Sequence, residues 1–133
     1  MVVGAVMIAI GGSPELDDDA AVVFSVSDDE PIWNFRDNGD SRIFDVDMSG
    51  DGSTAVGCGG AVWLLDIENQ ELLWTYGEND PYVWDTCDIS EDGSTIVAGN
   101  RQSSIALWDR SSGEFETWWT LTDGGFVDVV DMT

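Results

Sequence analysis

The chain has 133 residues, enough for one domain with a hydrophobic core, and its formal net charge is −23. It contains no lysine, no histidine and only four arginines, which excludes histidine-dependent triads, histidine-ligated zinc, P-loop phosphate sites and lysine Schiff bases. The same shortage of cations predicts no nucleic-acid interface. Seven tryptophans and a hydrophobic content of 43% predict a folded chain despite the charge.

The acidity itself has two interpretations. Repulsion among 23 net negative charges opposes a compact state at low salt, whereas a Debye length of about 3 Å at 1 M salt screens most of it. The complete absence of lysine favours a halophilic or marine-archaeal origin. An acidic extracellular protein from an ordinary habitat has a similar composition.

The first predicted element is a buried strand, Val6 to Ile10. The whole apolar run Met1–Ile10 lacks a basic flank and is far shorter than a membrane span of about 20 residues, so we expect neither an export signal nor a span there. A loop, Ser13–Asp19, follows. Its three adjacent carboxylates, Asp17–Asp19, are interpreted as a solvated charge run rather than a cation site.

Two sequence patterns then repeat along the chain. Asp47–Thr54 (DMSGDGST) recurs as Asp88–Thr95 (DISEDGST), an offset of 88 − 47 = 41 residues. Leu65–Trp74 recurs with one inserted residue at Trp108–Trp118, and a looser copy is Phe24–Trp33. These repeats predict one domain, 1–133, made of three units at about 1–42, 43–83 and 84–133.

Each unit contains four short apolar runs separated by turn residues, which predicts antiparallel strands and no helix. In the middle unit the predicted strands are Ile43–Met48, Ser53–Cys58, Ala61–Ile67 and Glu71–Tyr76. Gly52 and its equivalent Gly93 are predicted to take positive φ in hairpin turns. A last strand, Phe126–Met132, is predicted to start or complete a further unit.

Four-stranded units of 41 to 44 residues resemble the blades of β-propellers of the WD-repeat and quinoprotein types. The second pattern resembles a tryptophan-docking motif, in which an Asp ends the third strand and a Trp on the fourth packs between blades. The residues that fit these positions are Trp33, Trp74, Trp118, Asp66 and Asp109. The chain departs from the motif at Ser25, which replaces the Asp, and keeps its turn glycine only as Gly113. The Gly-His signature of WD repeats is missing, since there is no histidine.

The resemblance implies an all-β fold, an incomplete propeller of about three blades. Closed propellers have four or more blades, so two interpretations remain. The favoured one is a segment of a longer propeller. The other is a chain that associates with itself to close a ring, with Phe126–Met132 completing a first unit.

The turns also resemble half of a calcium loop. The oxygen-bearing residues that alternate there are Asp47, Ser49 and Asp51 in one copy and Asp88, Ser90 and Asp92 in the other. The bidentate Glu is missing, because Cys58 and Gly99 stand at the twelfth position, so we expect structural turns without metal.

Asp47, Asp88 and Asp131 stand at equivalent positions on the first strands. They are expected either to form an acidic ring or, the preferred interpretation, to accept backbone N–H groups in the turns that they precede.

The remaining candidates are read mainly as packing residues. Cys58 and Cys87 are interpreted as two small buried hydrophobes, with a disulfide as the alternative if their strands face one another. Most tryptophans are expected between sheets, while Trp84 and Trp119 break the repeat and are expected to be more exposed.

The functional expectation is a non-catalytic interaction or scaffold module, with a protein partner or self-association, no cofactor, and an extracellular or envelope location for the full-length protein. The alternative implied by the resemblance is a fragment of a pyrroloquinoline-quinone-dependent dehydrogenase, which would need bound quinone and calcium.

Overall fold

The structure is a computed structural model that describes residues 5–10, 20–25, 31–36, 43–78, 81–111, 115–122 and 124–132. These residues form strands and turns, and none of them lies in a helix. The strands are β1 (Ala5–Ile10), β2 (Ala20–Ser25), β3 (Pro31–Arg36), β4 (Ile43–Met48), β5 (Thr54–Gly59), β6 (Val62–Asp66), β7 (Glu71–Tyr76), β8 (Trp84–Ile89), β9 (Thr95–Asn100), β10 (Ser104–Asp109) and β11 (Phe115–Thr120).

The strands make three antiparallel sheets in which chain neighbours pair. The first sheet is β1-β2-β3, the second is β4-β5-β6-β7 and the third is β8-β9-β10-β11. The expectation of an all-β chain is therefore confirmed. In the middle unit the predicted bounds of β4 and β7 match the structure, while β5 begins and ends one residue later than predicted and β6 is shorter at both ends.

The turn chemistry behaves as the repeat predicts. Gly52 and Gly93 have φ of 72° and 74°, and both lie in the turn between the first and second strands of a sheet. Their N–H groups donate to the carbonyl groups of Ser49 and Ser90 at 2.9 and 2.8 Å. A side chain with a Cβ rarely adopts this left-handed conformation, which explains glycine at both positions.

The core lies in two layers on either side of the second sheet. Strand β5 is buried along its whole length, so its side chains alternate between the two layers. Trp63 and Leu65 face the first sheet and pack with Phe35, whereas Val56 and Leu64 face the third sheet. The second sheet is thus sandwiched between its neighbours, and the sheets stack.

The segment 124–132 differs from its predicted structure, because it is not a strand. Its Val127 N–H donates to the Asn100 carbonyl at 3.2 Å, but it forms no ladder with a second strand among the described residues. A strand needs such a ladder on at least one edge. The prediction for Phe126–Met132 was wrong in secondary structure, although the segment lies alongside β8 as its sequence position suggests.

Candidate interaction surface

The first and second strands of neighbouring sheets pack together in a repeated arrangement. Strand β8 contacts β4 and β5 of the sheet before it, and β4 likewise contacts β1. At the other end, Val127 lies against Gly99 in β9, so closely that a Cβ on Gly99 would stand 2.2 Å from Val127 Cγ1. The segment 124–132 therefore occupies the same position on the third sheet that β8 occupies on the second sheet.

Carboxylates clamp the second sheet to the third. Asp45 Oδ2 accepts hydrogen bonds from Cys87 N–H at 3.0 Å and from Thr86 Oγ1 at 3.3 Å. Asp47 Oδ2 accepts one from Ile89 N–H at 3.0 Å. The N–H groups of Cys87 and Ile89 point away from β9, so these carboxylates satisfy the outer edge of β8.

A similar clamp recurs one unit later with the segment 124–132, where a threonine hydroxyl replaces one of the two carboxylates. Val130 N–H donates to Thr86 Oγ1 at 3.2 Å, and Met132 N–H donates to Asp88 Oδ2. The clamped residues are 42 residues from their acceptors at the first junction and 44 at the second, which matches the repeat length.

Asp47 and Asp88 also meet one another. The Ile89 N–H donates to Asp47 Oδ2 and to Asp88 Oδ1, both at 3.0 Å, so two carboxylates converge on one donor. Burial and the neighbouring Asp47 carboxylate raise the pKa of Asp88. The preferred expectation, that these residues cap their own turns, differs from the structure because they reach across to the following unit. Asp131, the third residue of the set, is exposed.

Asp51 and Asp92 cap the turns instead. Asp51 Oδ1 accepts from Ser53 Oγ at 2.7 Å, Ser53 N–H at 2.9 Å and Ser49 Oγ at 2.9 Å. Asp92 makes the same three bonds in the next copy. The serine hydrogen bonds lower the pKa of each carboxyl group to about 2.

The aspartates of the suggested calcium turns therefore bind two different sets of partners. Asp51 and Asp92 accept hydrogen bonds from serines of their own turn. Asp47 and Asp88 accept hydrogen bonds from backbone N–H groups of the next unit. Within the described ranges no group of three or more acidic or cysteine side chains is arranged to hold a metal ion. The acidic run Asp17–Asp19 lies outside the described residues.

The turns line a cleft of about 690 Å³ at this end of the strands. Its wall includes Asp47 and Asp88, the second turn with Glu91 and Asp92, and Met132. The turns themselves stack, since Gly50 N–H donates to the Glu91 carbonyl at 2.8 Å. The cleft is acidic, and Met132 at the end of the segment 124–132 forms part of its wall.

Aromatic side chains fill the junction between the second and third sheets. Trp84 and Trp108 are fully buried with ring centroids 5.5 Å apart, and Tyr76 packs edge-on against Trp108 at 5.2 Å. The expectation that Trp84 is exposed was wrong, because its place at the start of β8 faces this junction. Trp119 is 49% exposed, in line with its expectation.

The residues assigned to the docking motif lie as follows. Trp74, which the motif places between blades, is half-buried. It spans the junction, since its Nε1–H donates to the Arg110 carbonyl at 3.0 Å. Asp66 accepts from Asn69 N–H at 2.9 Å, and Asp109 accepts from Ser111 N–H at 2.8 Å. The two aspartates thus hold the hairpins between third and fourth strands. Trp33 and Trp118 are partly buried against the two core layers.

Several large apolar side chains in the last described part of the chain are exposed. Phe126 and Val129 of the segment 124–132 are 66% and 77% exposed, and Trp119 in β11 and Leu121 just after it are also exposed. The sequence predicted exposure of Trp119, whereas it gave no signal that Phe126, Val129 or Leu121 is exposed.

No protein-family model matches the chain, and no curated protein sequence is significantly similar to it. The described residues include no helix long and apolar enough to cross a membrane.

Proposed function

We propose that this chain is a non-catalytic interaction module built from β-propeller-type units, whose third unit presents a docking surface for a further unit of the same kind. The observation that carries the proposal is the repeated clamp, in which side chains of one first strand satisfy the edge N–H groups of the next. It occurs between β4 and β8 and again between β8 and the segment 124–132.

The backbone of the segment 124–132 supports docking by strand addition. Val130 and Met132 donate their N–H groups toward β8. If residues 129–132 are extended, the alternate residues Val129 and Asp131 turn their N–H groups to the opposite edge. In the third sheet the corresponding edge of β8 is the one that pairs with β9. Neither of these N–H groups has an acceptor among the described residues. An incoming strand would complete this ladder.

A second copy of the chain offers the strand that this edge requires. Strand β1 occupies the position of a second strand, because it contacts β4 of the next sheet as β5 contacts β8. In the second sheet β5 pairs with both β4 and β6. Strand β1 pairs only with β2 in the described structure. The outer edge of β1 and the open edge of the segment 124–132 are therefore complementary. We propose that one copy's β1 docks on the other copy's segment, burying Phe126 and Val129.

The acidic surface supports a salt-rich setting for this association. Two docked copies bring together surfaces that carry an excess of carboxylates, and the described residues provide few cations to neutralise them. Salt near 1 M screens this repulsion and strengthens apolar burial, so association should increase with salt.

Sedimentation velocity over a range of protein and salt concentrations tests the proposal. We expect a monomer–dimer equilibrium that shifts to dimer at high salt and is abolished by Val129→Asp. The matched control is Leu72→Asp, at a 45% exposed leucine on the outer edge of the second sheet, which should associate like the parent chain. A chain that stays monomeric at every condition, or equal behaviour of the two variants, would contradict the proposal.

A further inference from the structure

The junction between the second and third sheets contains both cysteines of the chain. Cys58 lies in β5 and Cys87 in β8, and both are free and buried. They belong to the same core layer, which joins the two sheets.

The two thiols converge on one residue. Asp45 in β4 is the cross-strand partner of Cys58, and directly opposed residues of an antiparallel pair have Cα atoms about 4.5–5.5 Å apart. Cys87 contacts the same Asp45 twice, since its N–H donates to Oδ2 at 3.0 Å and its Sγ–H to the carbonyl at 3.4 Å. Cys58 is also among the groups that raise the pKa of the Cys87 thiol, as expected for two neighbouring side chains.

We propose that Cys58 and Cys87 form a reversible intramolecular disulfide that covalently joins the second and third sheets. The oxidant is a low-molecular-weight disulfide. In the reaction both cysteine S–H bonds break and one S–S bond forms, and two electrons and two protons pass to the oxidant, which leaves as two thiols.

The environment of the pair determines how the reaction proceeds. Burial, followed by the contact with Cys58, raises the pKa of the Cys87 thiol, so its reactive thiolate is scarce in the closed junction. Exchange therefore requires the junction to open locally. Once formed, the bond lies in the core and is shielded from reducing thiols in the same way.

The bond would close a loop that contains β6 and β7, since it connects residues 58 and 87. Loop closure of this length restricts the unfolded chain and raises the melting temperature by roughly 10 °C when the native geometry fits the bond. The proposal does not depend on the docking of a second copy, because both cysteines lie at a junction within one chain.

The test is incubation of the full chain with oxidised glutathione, with and without urea below the unfolding transition. We expect the mass to fall by two hydrogen atoms, a peptide containing Cys58 linked to one containing Cys87, faster formation in urea, and a melting temperature that rises on oxidation and returns on reduction. Cys58→Ala and Cys87→Ala are matched controls, and neither should show the mass loss or the thermal shift.

Three results would overturn the proposal. The first is glutathione attached to both cysteines without a link between them. The second is a disulfide only between chains. The third is an internal disulfide that lowers the melting temperature, which would show that the bond distorts the junction. The oxidation of the parent chain needs no substitution, so a variant that fails to fold does not affect the outcome.

Discussion

Asp45→Ala should destabilise the chain by about 2–4 kcal/mol. The substitution removes two hydrogen bonds from a charged acceptor to the neighbouring sheet, to Cys87 N–H and Thr86 Oγ1. A hydrogen bond to a charged group contributes about 1.5–3 kcal/mol to stability, and a buried donor left without an acceptor costs about 1–3 kcal/mol. Cys87 is buried, so water cannot fully replace the lost acceptor. Asp45→Asn keeps an acceptor oxygen and should lose less.

The assay is urea unfolding followed by tryptophan fluorescence at fixed salt and protein concentration. Asp85→Ala is the matched control, because it removes the same charge from the neighbouring β8. Its carboxylate pairs with the exposed Arg101 at 2.8 Å, and such pairs contribute about 0–1 kcal/mol. Equal losses of stability in the two alanine variants would refute the clamp, since the effect would then follow from charge alone.

Four further predictions concern the core, the Asp88 carboxyl group, the turn aspartates and salt. Trp84→Ala should cost about 3–5 kcal/mol in urea unfolding, because the ring is fully buried, whereas Trp119→Ala should stay within about 0.5 kcal/mol. Burial and the neighbouring Asp47 raise the pKa of Asp88, so its ionisation opposes folding as pH rises through the folded-state value. The free energy of unfolding of Asp88→Asn should therefore increase relative to that of the parent chain as pH rises from 3 to 7. Asp51 and Asp92 have a lowered pKa of about 2, so the effect of pH is reversed. The stability that these two groups contribute is complete above their ordinary pKa of 3.8 and is lost as pH falls toward 2. Acid unfolding should show this loss, and Asp92→Asn should reduce it. The free energy of unfolding should rise as NaCl increases from 0.1 to 1 M, because the Debye length falls from about 10 to 3 Å; a salt-independent value would contradict the interpretation of the acidic surface.

The sequence was most informative where structure is local. The turns at Gly52 and Gly93 followed from a short repeated pattern, since positive φ and a serine–aspartate cap depend only on neighbouring residues. Strand positions in the middle unit were predicted within one or two residues for the same reason.

Contacts between sheets could not be read from local spacing. Asp47 was expected to cap its own turn, but it bonds to Ile89 42 residues later, which only the stacking of two sheets determines. Trp84 was expected to be exposed because it breaks the repeat, yet the start of β8 places it between Trp108 and Tyr76. Departure from a repeat thus marked a junction residue rather than a surface residue.

The segment 124–132 shows the opposite case. Its sequence resembles a first strand, and it lies where a first strand would lie, but strand structure requires a paired edge that the described chain does not provide. Local pattern therefore predicted its position and failed to predict its secondary structure.

Docking of a second copy on the segment 124–132 can be followed by amide hydrogen exchange at low and high protein concentration in 1 M salt. Cys87 and Ile89, whose amides are clamped within one chain, should exchange slowly at both concentrations. Val129 and Asp131 should exchange quickly in dilute protein and become protected at high concentration, as a docking strand pairs with them. Unchanged fast exchange at Val129 and Asp131 in a sample that sediments as a dimer would contradict docking at this edge.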